Sequence, residues 1–139
     1  MTGQKQVDPA RWNEALPWLA HADADLRISD LADGDIDLSL VIAFHCQQAA
    51  EKMAKAVLIA FGAAYPKVHD IAELARRVEN VHPDVSRVIA ELSGLTDWYS
   101  MSRYPDVEFV PSQQDIKAVI AKLKELRLKI GALAPKPGE

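Results

Sequence analysis

The side chains best suited to chemistry lie close together in the first half of the chain. His45, Gln48 and Lys52 fall at i, i+3 and i+7, with Glu51 beside Gln48 and Lys55 one turn past Glu51. At about 100° per residue this spacing gathers them on one side of a helix. Such a stripe can form one wall of an anion or nucleotide pocket. Periodicity alone favours a plainer reading: a solvated face carrying a Glu51–Lys55 pair worth roughly a few tenths of a kcal/mol. Two later segments add cationic and aromatic groups, Lys67-Val68-His69-Asp70 and Ser102-Arg103-Tyr104-Pro105-Asp106. Arg103 at a helix end can grip a phosphate bidentately, and Tyr104 can stack on a base. Equally, Arg103 can complement a helix dipole while Tyr104 packs on neighbouring helices.

Other chemistries are disfavoured by spacing. His45, His69 and His82 are far apart, and no HxxxH or CxxC occurs, so no metal site is expected. Cys46 falls on an apolar helix face about 100° from His45, which argues against a thiol nucleophile. No glycine-rich phosphate loop is present, and no cofactor is expected.

The stripe needs a helix to carry it. Residues 36–62 contain no proline and no internal glycine, and Ile42, Cys46, Ala49, Ala50, Met53, Val57, Ala60 and Phe61 recur on one broad face. A face that wide requires two or more neighbouring helices. Asp35 or Asp37 caps its start and Gly62 closes it. Before it, Asp8-Pro9 opens a helix whose stripe is Trp12, Leu16, Leu19, Leu26 and Leu31, kinked or split at Pro17. After it, Asp70 caps a short helix over 71–79. A further helix opens at Pro83-Asp84 and runs through Gly94 to Met101. Residues 107–111 form an extended link, and Ser112 with Asp115 starts a last helix reaching about Leu133. The expected fold is all-α, an antiparallel up-and-down bundle of four to five helices. It forms one domain over 1–139, with its core at about 18–133 and polar tails at 1–8 and 134–139.

Composition agrees. Of 139 residues 49% are hydrophobic, which suits a folded core. A net charge of −4 disfavours non-specific nucleic-acid binding. The polar N-terminus resembles no signal peptide and no apolar run spans a bilayer, so a cytoplasmic protein without membrane attachment is expected. Acids concentrate in residues 1–40 and bases in 116–139. Solvated helix faces are the favoured account, with pairing inside the bundle or between subunits as the other.

Taken together, FHCQQAAEKMAKAVLIAFG, then PKVHDIAEL, then WYSMSRYPD before a last amphipathic helix resembles the HEPN domain, specifically its FHxQQAAEK…HD…RYPD branch. The resemblance covers about Trp18 to Leu133. It implies a helical bundle that is usually a homodimer. It also implies a nucleotide- or nucleic-acid-binding role, with a small nucleotidyltransferase as partner in a toxin–antitoxin-like pair. The signature residues carried over are His45, Gln48, Lys52, His69, Arg103 and Tyr104 as ligand-binding groups, and Glu51, Asp70 and Asp106 as supporting ones.

Many HEPN domains are metal-independent ribonucleases with an Arg, a polar residue, three more residues and a His. Here Arg77 and His82 have that spacing, but Val78 replaces the polar residue and Pro83 follows at once. Without that motif, the resemblance leaves His45 or His69 as a base and Arg103 as the group stabilising the phosphorane. The leading expectation is a binding module rather than an enzyme. An RNA endonuclease toxin and a purely structural dimerisation protein are the rivals.

Overall fold

A computed structural model of the chain describes residues 6–102, 104 and 110–136. Among these, six α-helices form an all-helical bundle: α1 (Pro9–Ala32), α2 (Ser39–Ala60), α3 (Ile71–Glu79), α4 (Pro83–Ala90), α5 (Leu95–Ser102) and α6 (Gln113–Gly131). One 3₁₀ turn, Ile36–Leu38, precedes α2.

The spine is α2, which packs against α1, α3, α5 and α6. Ile42, Cys46, Ala49, Ala50, Met53, Val57 and Ala60 are all buried, as their spacing required, and Phe61 is half-buried against the same core. The helix closes with a Schellman arrangement. The Gly62 N–H donates to the Ile59 carbonyl, the Ala63 N–H donates to the Leu58 carbonyl, and Gly62 takes a φ of 71°. Burial pushes the Cys46 thiol up to about 11, so it stays a protonated core residue.

Local caps follow the sequence closely. The Asp8 carboxylate accepts from the Ala10 N–H, Asp70 from Ala72 and Glu73, and the Ser112 hydroxyl from Asp115. Asp35 caps the 3₁₀ turn through Asp37, whereas α2 itself has no side-chain cap.

Several expected boundaries differ. Helix α1 runs through Pro17 without splitting, losing one backbone donor at an exposed position. Its inner face is Ala15, Leu19, Ala22 and Leu26, while Leu16 and Leu31 face outward. The alanines let α2 approach α1 closely. The expected helix over 83–101 is two helices. Around Ser93-Gly94 the chain makes several i→i−3 hydrogen bonds, Leu92 to Ile89, Ser93 to Ala90, Leu95 to Leu92 and Thr96 to Ser93. Two poor helix formers side by side favour that tighter path. Residues 107–109 of the expected link lie outside the described residues.

Acidic front and basic tail pair within the chain rather than standing as separate solvated faces. Arg127 meets Asp23 at 2.7 Å, Lys124 meets Asp30 at 3.0 Å and Lys117 meets Asp33 at 3.0 Å. The three pairs link α6 to α1 and the turn after it. They are surface pairs, individually worth little; the buried stripe Ile116, Ile120, Leu123, Leu126 and Ile130 is what turns α6 towards the core. No described helix is long and apolar enough to cross a membrane.

Candidate functional site

The polar side of α2 faces α1 and the loop before α3, and those two neighbours complete it. From α1 comes Asp25, whose side chain is only 10% exposed. One carboxylate oxygen takes His45 Nδ1 at 2.8 Å and the other takes Lys52 Nζ at 2.7 Å. A carboxylate can only accept here, so Nδ1 carries a hydrogen and donates it. The imidazole is thereby oriented by Asp25, with Nε2 turned away from it.

A second carboxylate does the same one turn further along. Glu51 Oε1 accepts from His69 Nδ1 at 2.8 Å, and Oε2 accepts from Lys55 Nζ at 2.9 Å. Glu51 and Lys55 side chains are each 8% exposed, so this is a buried ion pair rather than the solvated pair expected from periodicity. Gln47 Nε2 donates to Glu51 Oε1 at 3.2 Å and to the His69 carbonyl at 3.1 Å, while Gln48 donates to Gln47 Oε1 at 2.9 Å. Burial alone would raise the Glu51 carboxyl. Hydrogen bonds from Lys55, His69 and Gln47, with the Lys55 charge, outweigh it and hold the group below its ordinary value.

Each polar residue thus reaches its place for a local reason. Asp25 follows Leu19 and Ala22 on the buried stripe of α1, so its carboxylate must enter the α1–α2 interface. Gln47 lies one turn from Ala43 and from Ala50, both buried, and points into the core. His69 is brought over by the loop after Gly62. Beside the network, a cleft of about 280 Å³ is lined by Pro17, Trp18, His21 and Lys52. Tyr65, on the same loop as His69, meets Trp18 nearly edge-on, with ring centroids 5.3 Å apart. Lys55 Nζ lies 6.0 Å from the Tyr65 ring centroid.

The expected site residues divide accordingly. His45 and Lys52 converge on Asp25. Gln48, Glu51 and His69 belong to the adjoining network. Asp70 caps α3, and Tyr104 is an exposed residue whose backbone N–H bonds to Met101. Arg103 and Asp106 lie outside the described residues. Arg77 is exposed and pairs with Glu73 at 3.1 Å, one turn back on the same helix. His82 is the N-cap of α4: its Nδ1 accepts from the Val85 N–H at 3.1 Å, and its ring lies against Phe61. Among the described residues no group of three or more His, Cys, Asp or Glu is placed to hold a metal ion.

Asp25, Gln47, Trp18 and His21 escaped the sequence reading. For Asp25 the signal was present, since a carboxylate at i+3 from Ala22 and i+6 from Leu19 sits on a buried face and needs a partner. For Trp18 and His21 there was none, because only the crossing of α1 over α2 brings them to Lys52.

A search of curated proteins gave no significant match to the chain, and a search of solved structures gave none either. The family model described as HEPN domain matches residues 15–131, which spans α1 from Ala15 to the end of α6 and includes the whole polar network. With that match over most of its length, and with the helical bundle described above, the chain belongs to the HEPN domain family.

Proposed function

We propose that this protein is a HEPN-type nucleotide- or nucleic-acid-binding module. In this reading it acts as a homodimer and as the partner of a small nucleotidyltransferase in a toxin–antitoxin-like pair. One observation carries the binding role: a single nearly buried carboxylate, Asp25, holds both His45 and Lys52 in fixed positions, and Lys52 lines a cleft. Nitrogen donors held in place before the ligand arrives lose little entropy on binding an anion. Dimerisation is supported by Leu40, Val41 and Phe44, which leave an exposed apolar strip on the first turns of α2.

Calorimetric titration with ATP and with a short single-stranded RNA tests the proposal, alongside affinity purification from the native cells. Binding of either ligand, weakened by Lys52→Ala, is expected, with a nucleotidyltransferase co-purifying. Absence of all binding together with absence of that partner would sink the reading.

A metal-independent ribonuclease is the second reading, and the two carboxylate–imidazole pairs favour it. Asp25–His45 and Glu51–His69 both use the Nδ1 donor, the arrangement that orients a general base. The local roles of Arg77 and His82 draw the weight of this reading towards His45 and His69. RNA cleavage in EDTA by the wild type, lost in His45→Ala and kept in Arg77→Ala/His82→Ala, would put this reading first. Loss in the double variant instead would place Arg77 and His82 at the centre of the enzyme.

A further inference from the structure

The cleft between α1 and α2 is chemically lopsided. Pro17 and Trp18 give it an apolar wall, and His21 and Lys52 give it nitrogen donors. No carboxylate is among these lining residues. Lys52 is not a loose surface lysine: Asp25 holds its Nζ at 2.7 Å from behind the cleft. Trp18 is also restrained, because Tyr65 meets it at an interplanar angle of 70°. A restrained aromatic wall, an anchored lysine and an exposed imidazole suit a ligand with one planar ring and one anionic group.

Volume narrows the class. At about 280 Å³ the cleft is just below the roughly 300–1,000 Å³ of drug-sized sites. It suits one ring and one phosphate, not a run of stacked bases. Across the Trp18–Tyr65 contact lies a second cleft of about 460 Å³, with Arg11, Glu14 and Tyr65 among its lining residues. That cleft carries its own acid, and Glu14 already holds Arg11 at 3.4 Å. Glu14 is itself part of that cleft's wall, whereas Asp25, which pairs with Lys52, is not among the lining residues of the smaller cleft, so the smaller cleft is the better anion site.

We propose that the Pro17–Trp18–His21–Lys52 cleft is the subsite for one nucleoside monophosphate unit, its base against Trp18 and its phosphate between His21 and Lys52. The proposal rests on the binding role argued above and names where and in what form the ligand is held. The unit is either a free mononucleotide or the 5′-phosphorylated end of a strand, since both present the same ring and phosphate.

The test is calorimetry of the full chain with AMP and with a 5′-phosphorylated oligoadenylate, in the wild type and in Trp18→Leu, His21→Ala and Arg11→Ala. His21 is exposed, so its variant folds even if Trp18→Leu does not. Circular dichroism checks both. Loss of one stacking partner is expected to weaken binding roughly tenfold or more. His21→Ala should weaken AMP binding several-fold, and Arg11→Ala should leave it unchanged. If the oligonucleotide binds, AMP does not, and the same two variants weaken the oligonucleotide, the subsite stands with a strand end as its ligand. Ligand binding that Trp18→Leu and His21→Ala leave intact overturns the subsite while the binding role survives. No binding of either ligand to the wild type overturns both.

Discussion

His45 and His82 make an instructive pair. Each stands near a basic residue in the sequence, and each is half-buried in the fold. His82 is satisfied from next door: its Nδ1 accepts the Val85 N–H, and the nearby Arg77 is held by Glu73 on its own helix. His45 is satisfied from twenty residues away, by Asp25 of another helix, and shares that carboxylate with Lys52. Local partners explain a residue completely in terms of helix caps and i,i+4 pairs. A polar cluster drawn from separate elements costs desolvation at each member. Helix termini give no reason to bear that cost, so the α1–α2 network is the better place to look for function. Variants that remove one member at a time turn this contrast into measurable differences.

Glu51→Ala should have the largest effect. It strips the counter-charge from Lys55, whose side chain is 8% exposed, and leaves His69 and Gln47 without their shared acceptor. An unpaired buried charge typically costs about 3–5 kcal/mol, read as a drop in the urea midpoint. Glu51→Leu/Lys55→Met should recover much of that loss, because removing both charges also removes the desolvation cost. Acid should act on the same site. The Glu51 carboxyl is lower in the folded chain than its ordinary value of 4.5, so its stabilisation is complete above that value and fades as pH falls through the lower folded one. Urea midpoints measured from about pH 6 down to about pH 3 should fall, and Glu51→Gln should flatten part of that slope.

Asp25→Asn ranks next. The amide keeps the shape but has one acceptor oxygen where two nitrogen donors now bond. Loss of a charged hydrogen bond costs about 1.5–3 kcal/mol. The same variant should loosen Lys52 and so weaken AMP binding more than its stability loss explains. Equal affinity in Asp25→Asn and wild type would show that Asp25 serves the fold alone.

How much of this was legible beforehand depends on the range of the interaction. The spine helix, its inner face from Ile42 to Ala60 and the caps Asp8, Asp70 and Ser112 could all be read directly, because each rests on neighbours within a turn or two. The break at Ser93-Gly94 was half visible: glycine is a poor helix former, but whether a helix bends or stops there is decided by what α5 packs against. The α2 stripe was seen as polar, yet its burial was not, since Glu51 and Lys55 are covered by residues whose positions follow from the tertiary fold. The ion-pair partners of Asp23, Asp30 and Asp33 were hidden for the same reason. They lie on α6, more than eighty residues on.

His82 provides a sharper test of the local half of the comparison. As N-cap of α4 it satisfies the N3 donor, and His82→Ala should cost about 1 kcal/mol. Asparagine also accepts from N3, so His82→Asn should restore most of that stability. An imidazole needed for proton transfer would not be replaced by an amide. Restored stability with RNA cleavage still abolished would therefore separate a catalytic His82 from a capping one, and would weaken the case for the α1–α2 network as the active region.

Arg77→Ala should have the smallest effect. The guanidinium is exposed, and Glu73 keeps Arg76 as a second partner at 2.7 Å when Arg77 is gone. An exposed i,i+4 pair contributes little, and the retained Arg76 contact offsets part of that. The urea midpoint should move by little more than its error, and raising the salt concentration should erase the difference. A loss several times larger would mean that Arg77 supports more than its own helix. The contrast between a locally satisfied Arg77–His82 segment and a long-range α1–α2 cluster would then fail at its first residue.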